Sequence, residues 1–190
     1  MVIYASAFIL VGGKSERFGS PKWKAGFEGT TLLGRAWDLL DPLFKETNCV
    51  TKRIGESTGK PSIYDSLPIA SPFSGVHTAL AATSTEWNFI LSCDLPLVDE
   101  TVIRDLWSAV SKDYQIIVPE AGRGMEPTCA FYHRSLVPTC RKMIKEKDYA
   151  LYSLISRSKS RRLDFLNRDE LFININTPED LERAKRRASL

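Results

Sequence analysis

Strand-length apolar runs alternate with helix-period segments along the whole chain, and that alternation restricts the fold to a wound α/β sheet. Ile3 to Val11 reads as the first strand. "TTLLGRAWDLLDPLF" sets Leu32, Leu33, Ala36, Leu39, Leu40 and Leu43 on one helical stripe, capped by Thr30 or Thr31. Cys49 to Arg53 and "PSIYD" read as short strands, and "SGVHTALAAT" as a helix with Ser74 at its N-cap. "WNFILSCD" is a buried parallel strand ending in an acid. In "DETVIRDLWSAVS", Asp99 caps a helix that keeps Val102, Leu106 and Val110 on one face. "QIIVP" and "TCAFYH" are strands, Ser135 to Glu146 is a helix, and Tyr149 to Ser156 is a shorter one. "RRLDFL" and "LFINI" close the sheet. "TPEDLERAKRR" is a last helix with Thr177 as N-cap, Pro178 at its first position and Asp180 as the matching acid.

The expected architecture is one α/β domain over residues 1–190, a mostly parallel sheet with helices on both faces. No internal repeat or linker divides it. A net charge of +3 is too mild to argue for a nucleic-acid partner and suits a small anionic ligand equally well. No apolar run approaches membrane-spanning length, and the opening residues lack a basic leader, so a cytoplasmic chain is expected. Cys49, Cys93, Cys129 and Cys140 form no CxxC pair and read as reduced, mostly buried thiols. His77, inside a helix, and His133, ending a strand, read as structural.

Ligands of such sheets sit outside the carboxyl ends of the strands. That rule selects the ground after Val11, after Asp65, after Cys93 and near Asn174. After Val11, "FILVGGKSERFGSPK" ends a strand in Gly12 and Gly13 and gathers Lys14, Arg17 and Lys22. Bare glycine amides approach phosphate oxygens closely, and the cations offset their charge. The spacing is neither a P-loop nor a dinucleotide fingerprint. In "FILSCDLPLVD", Asp99 is the better helix cap, which leaves Asp94 for a Mg²⁺ ion. The loop "YDSLPIASPFSGVHTAL" runs from Asp65 to Gly75 and suits a nucleobase or ribose, though a loop and a helix cap explain it as well. In "FININTPEDL", Asn174 and Asn176 alternate with isoleucines, so both should project to one sheet face and need partners there, from loop backbone or a ligand.

In this order and spacing the segments resemble the molybdenum cofactor guanylyltransferases. The family's opening LAGGxSxRMGxDK is similar to Leu10–Lys22, and its G-P-L-A-G loop to Ser71–Gly75. Its strand-terminal CD-x-P resembles Cys93–Pro96, its PT-A-Y-R stretch Pro127–Arg134, and its NxNTPEDL ending Asn174–Leu181. The chain departs at Val11, Phe18 and Pro21, and Lys52 stands where relatives often carry an asparagine near the nucleotide.

The resemblance implies a Rossmann-like nucleotidyltransferase that joins GMP from GTP to molybdopterin, with Mg²⁺ as cofactor. It implies catalytic roles for Asp94, Lys22 and Arg17, with Asp94 as the metal ligand. Lys22 and the Gly12–Gly13 amides would cradle the triphosphate; Leu10, Val11, Lys52, Asp65 and Gly75 would face the nucleoside. Asn174 and Asn176, with the Arg123–Thr128 region, would line the pterin side. It implies a monomer in transient contact with cofactor-delivery proteins or apo-molybdoenzymes, and neither nucleic acid nor membrane. The alternatives are cytidylyl transfer to molybdopterin, another small nucleotidyltransferase, or a nucleotide-binding module without turnover.

Overall fold

The computed structural model describes residues 1–12, 21–52 and 57–188. Strand β1 (Ile3–Val11) is followed by a two-strand hairpin, β2 (Gly26–Phe27) and β3 (Thr30–Thr31), and by helix α1 (Leu32–Leu40). Next come β4 (Phe44–Thr51), β5 (Ser62–Tyr64), α2 (Pro72–Ala82), β6 (Trp87–Ser92) and α3 (Glu100–Ser108). The second half holds β7 (Ile116–Ala121), β8 (Gly124–Met125), β9 (Cys129–His133), α4 (Val137–Glu146), α5 (Leu151–Ser156), β10 (Ser160–Asp164) and α6 (Pro178–Ala188).

Among the described residues the main sheet has eight strands in the order β10-β7-β9-β6-β1-β4-β5, with β8 beside β7. β1 pairs in parallel with β4 and β6, β4 with β5, and β7 with β10. β9 alone is inserted antiparallel, between β6 and β7, and β8 is a short antiparallel ribbon. The expected mostly parallel α/β sheet is therefore the observed one.

From Ala5 onward both faces are covered, which explains why β1 is mostly apolar, with Ser6 the buried exception. On one face Ala7, Ile9 and Val11 of β1 meet Leu33, Ala36 and Trp37 of α1 and Val102, Ile103 and Leu106 of α3. On the other, Phe8 and Leu10 meet Phe73, Val76 and Leu80 of α2, in one cluster with Met143 of α4 and Leu154 of α5. Each such side chain contributes about 1.5–3 kcal/mol by leaving water. The chain runs outward from β1 to β4 and β5, and α2 then carries it back to β6 on the opposite flank of β1. The winding thus reverses beside β1, and a crevice opens at the carboxyl ends of β1 and β6.

Four expectations need correction. "LFINI" is not a strand: Leu166–Phe172 winds into 3-10 turns, and the chain then crosses the mouth of the sheet. There Ile175 N donates to Asp94 O at 2.9 Å, so the segment docks on the loop after β6 and leaves β10 as the sheet edge. The N-cap of α2 is Ser71, whose Oγ accepts from Phe73 N at 3.3 Å, because Pro72 fixes a helical φ one residue later. Ser74 lies inside the first turn and donates to Ile69 O and Ser71 O. The strand expected at Cys49 begins at Phe44, and α1 ends at Leu40, just before Asp41-Pro42. The α6 capping pair is as expected: Thr177 N donates to Asp180 Oδ2 at 3.0 Å, and Asp180 N to Thr177 Oγ1 at 3.2 Å.

Among the described residues no helix is long and apolar enough to cross a membrane.

Candidate active site

β6 delivers Asp94 into a tight turn at its carboxyl end, where Leu95 N returns to Ser92 O at 3.2 Å. Lys22 comes from the other side, on a single 3-10 turn (Lys22–Lys24) anchored by buried Trp23. Its Nζ lies 2.7 Å from Asp94 Oδ2 and 3.5 Å from Asn176 Oδ1. Three segments distant in sequence therefore converge on one point. Ile175, buried between the two asparagines, fixes the third by its hydrogen bond to Asp94 O.

Asp94 Oδ1 is buried and has no hydrogen-bond partner among the described residues. A carboxylate oxygen in that condition is costly unless something else meets it. A hard divalent cation such as Mg²⁺ fits, because it commonly takes one or two carboxylates and fills its remaining positions with water and substrate phosphate. No group of three His, Cys, Asp or Glu gathers to form an all-protein cage among the described residues. The neighbouring Cys93 is no nucleophile: burial, with the charge of Asp94 added, pushes its thiol far above the ordinary range.

A second charged pair closes the β4–β5 side. Asp65 N bonds to Thr51 O at 2.8 Å, and its almost fully buried carboxylate accepts from Leu67 N and Thr78 Oγ1 through Oδ1, both at 3.1 Å. Lys52 Nζ lies 2.7 Å from Asp65 Oδ2 and donates to Leu67 O at 2.9 Å. The contact with Asp65 is close but poorly aligned, so it acts as charge pairing rather than as a directional bond. A Cβ built on Gly12 would stand 3.5 Å from Lys52 Cγ, so the lysine stem lies against the glycine that ends β1. Gly75 is buried within α2, and a Cβ there would come within 2.8 Å of Leu10 Cδ2. Its bareness serves the packing of helix on strand.

Leu10, Val11, Gly12, Lys52, Asp65, Asp94, Asn174 and Asn176 all stand at the carboxyl end of the sheet or cross it. Lys22, Asp94 and Asn176 touch, and Lys52 and Asp65 touch. Gly13 and Arg17, with Lys14, lie outside the described residues.

Sequence reasoning reached the Arg123–Thr128 stretch without singling out Glu126. A cavity of about 440 Å³ is lined by Glu126, Arg123, Asn174, Asn176, Arg183 and Tyr152, among others. Burial pushes the Glu126 carboxyl up, and the charge of Asp94 adds to this, while hydrogen bonds from Thr128 pull it down. The signal was present as an acid directly before Pro127, in the turn that leads into β9. His77 faces the opposite pressure: burial and then the Arg141 charge push its imidazole down, against the pull of Asp65.

Known proteins share the sequence pattern and the fold. The family model described as MobA-like NTP transferase domain matches residues 7–164. A molybdenum cofactor guanylyltransferase of Campylobacter jejuni (strain RM1221) is 30% identical over 179 residues, covering 93% of each chain. The crystal structure of molybdopterin-guanine dinucleotide biosynthesis protein A from Archaeoglobus fulgidus superposes with a TM-score of 0.82 at 22% identity, covering 97% of this chain and 98% of that one. A Mycobacterium tuberculosis protein solved in complex with manganese superposes with a TM-score of 0.70 at 16% identity, covering 98% of this chain and all (100%) of the other. The chain belongs to the MobA-like NTP transferase family and is a nucleotidyltransferase of the molybdenum cofactor guanylyltransferase type.

Proposed function

We propose that this protein transfers GMP from GTP to the terminal phosphate of molybdopterin in the cytoplasm, forming molybdopterin guanine dinucleotide and releasing pyrophosphate. An acceptor phosphate oxygen forms the new bond to the α-phosphorus. The bond from that phosphorus to the β-bridging oxygen breaks, and its electron pair leaves with pyrophosphate. The attacking phosphate is already an anion, so no protein nucleophile or general base is needed. Catalysis then rests on positioning and charge compensation.

The observation that carries this reading is Asp94, with Oδ2 held by Lys22 and a buried Oδ1 left without a partner among the described residues. Mg²⁺ bound at Asp94 would neutralise phosphate oxygens. Lys22 holds the carboxylate in place and sets a positive charge at the same mouth. Gly12 leaves its backbone open at the end of β1, and the Lys52–Asp65 pair walls the nucleoside side. Asn174 and Asn176 border the cavity that this reading assigns to the acceptor. Gly13 and Arg17 are assigned to the triphosphate, as the sequence motif suggests.

One assay tests the whole: pyrophosphate release with GTP, CTP, ATP or UTP and Mg²⁺, with and without molybdopterin. Release confined to GTP plus molybdopterin is expected. Equal release with CTP would assign cytidylyl transfer, and nucleotide binding without release in any combination would leave a binding module.

A further inference from the structure

Glu126 lies just beyond β8, where the chain turns towards β9, and its own backbone is fully engaged. Its N–H donates to Pro119 O at 3.0 Å, and its C=O accepts from Cys129 N at 3.1 Å. The side chain is engaged on one oxygen. Oε1 accepts from Thr128 N at 3.2 Å and from Thr128 Oγ1 at 2.6 Å, which fixes the plane of the carboxylate. Oε2 has no hydrogen-bond partner among the described residues, and Glu126 lines the 440 Å³ cavity.

That arrangement exceeds what the fold requires. Thr128 needs an acceptor, and the amide oxygen of a glutamine would supply one without a charge to desolvate. A carboxylate kept there, with a spare oxygen beside a cavity, is suited to accept from a ligand. Asn174, on the same cavity, has a buried Oδ1, and its side-chain amide makes no hydrogen bond among the described residues. The wall therefore offers an acceptor-only group and an amide that can donate. The complementary ligand edge carries donors followed by a carbonyl acceptor, as does the amino, ring N–H and carbonyl series of a 2-amino-4-oxopyrimidine.

We propose that Glu126 is a specificity-determining residue of the acceptor pocket: Oε2 accepts from the amino-bearing edge of the acceptor's pterin, and the Asn174 amide meets the adjoining carbonyl. The proposal rests on the transfer reading above for the identity of the acceptor. Guanine carries the same edge, so the nucleotide is the other source of this chemistry. Asn176 lies on the cavity and contacts Lys22, which puts the phosphate end of an occupant at Lys22 and Asp94 and its ring towards Glu126.

The test is calorimetric titration of the full chain, loaded with Mg²⁺ and excess GTP, with pterin and with lumazine, in which an oxo group replaces the 2-amino group. Acceptor against acceptor should weaken lumazine on the order of tenfold or more. Glu126→Gln should bring the two ligands to within about threefold of each other, because an amide can present either polarity. Unchanged Mg·GTP binding and an intact unfolding transition in that variant show that the fold is preserved. Asn174→Ala should weaken pterin while keeping its preference over lumazine. Equal binding of pterin and lumazine to the wild type, or a preference that survives Glu126→Gln, overturns the proposal. Competition between GTP and pterin also overturns it, by giving the cavity to guanine. None of these titrations requires turnover, so failed pyrophosphate release with intact pterin discrimination would sink the transfer reading alone.

Discussion

Lys22 Nζ and Asp94 Oδ2 meet at 2.7 Å across 72 residues of sequence, and Asp94 Oδ1 stays buried beside them with no hydrogen-bond partner among the described residues. The pair joins the turn after β6 to the segment that follows the glycine end of β1. The two side chains are only 18% and 16% exposed, so the cost of desolvating both charges offsets much of their attraction and the pair adds little net stability. Its value lies in aiming a carboxylate whose second oxygen remains available.

Asp94→Ala therefore separates activity from stability. Removing one preorganised charge-stabilising group costs about 2.7–4 kcal/mol of transition-state energy, roughly a hundred- to a thousandfold in kcat. Loss of a metal ligand should cost at least that much. Pyrophosphate release should fall to background, while stability falls by no more than about 1–3 kcal/mol for the partly buried Lys22 left without this carboxylate. Turnover near wild type in a folded Asp94→Ala protein would remove Asp94 from the mechanism.

Lys52→Met tests the second pair. Asp65 is almost fully buried and would keep its bonds from Leu67 N and Thr78 Oγ1 but lose its cation. Breaking a fully buried pair costs about 3–5 kcal/mol. The Lys52 side chain is 33% exposed, so a smaller loss of about 1–3 kcal/mol is expected here. The measurement is urea unfolding at neutral pH. A variant as stable as wild type would mean that the backbone and Thr78 bonds suffice for the carboxylate.

The fold was legible because β1 and β6 are buried on both faces and read as mostly apolar runs, interrupted only by the buried Ser6 and Asn88 inside them, while α1 and α3 show helical stripes. Asp94 stood out for a local reason: Asp99 already caps α3, accepting from Val102 N at 3.0 Å, so the earlier acid is not needed as that cap. The "LFINI" segment was misread because alternation of isoleucine and asparagine is strand-like, whereas its conformation is set by a tertiary bond from Ile175 N to Asp94 O. Pairings such as Lys52 with Asp65 depend on which strand ends become neighbours, and one-dimensional periodicity does not carry that. Glu126 stayed hidden for the same reason, since its cavity is built by residues from four separate stretches of chain.

The four cysteines yield a direct chemical prediction. All are free and buried, and burial pushes Cys49 up to about 11, Cys140 up to about 12, and Cys93 and Cys129 well above the ordinary range. A thiolate-specific disulfide reagent at neutral pH should therefore label none of them in the native protein, and all of them in denaturant. Rapid labelling of a native thiol would show that its helix or strand opens readily.

Two half-buried groups should bend the stability–pH curve in opposite directions. His77 is pushed below its ordinary value of 6.5, chiefly by burial, so the unfolded chain binds a proton there that the folded chain resists. Stability contributed by neutral His77 is present above 6.5 and is lost as pH falls below it. Glu126 is pushed above its ordinary 4.5, again chiefly by burial, so the folded chain holds its proton to higher pH than the unfolded one. Stability is then lost as pH rises from 4.5 through the folded value, and it stays lost at neutral pH. Glu126→Gln should accordingly be more stable than wild type at neutral pH, with the gap closing below 4.5, and His77→Leu should flatten the decline below 6.5. Urea unfolding of the three proteins across that range decides the matter. A Glu126→Gln protein less stable than wild type at neutral pH would mean that the carboxylate charge supports the fold, and its position beside the cavity would then need no ligand to explain it.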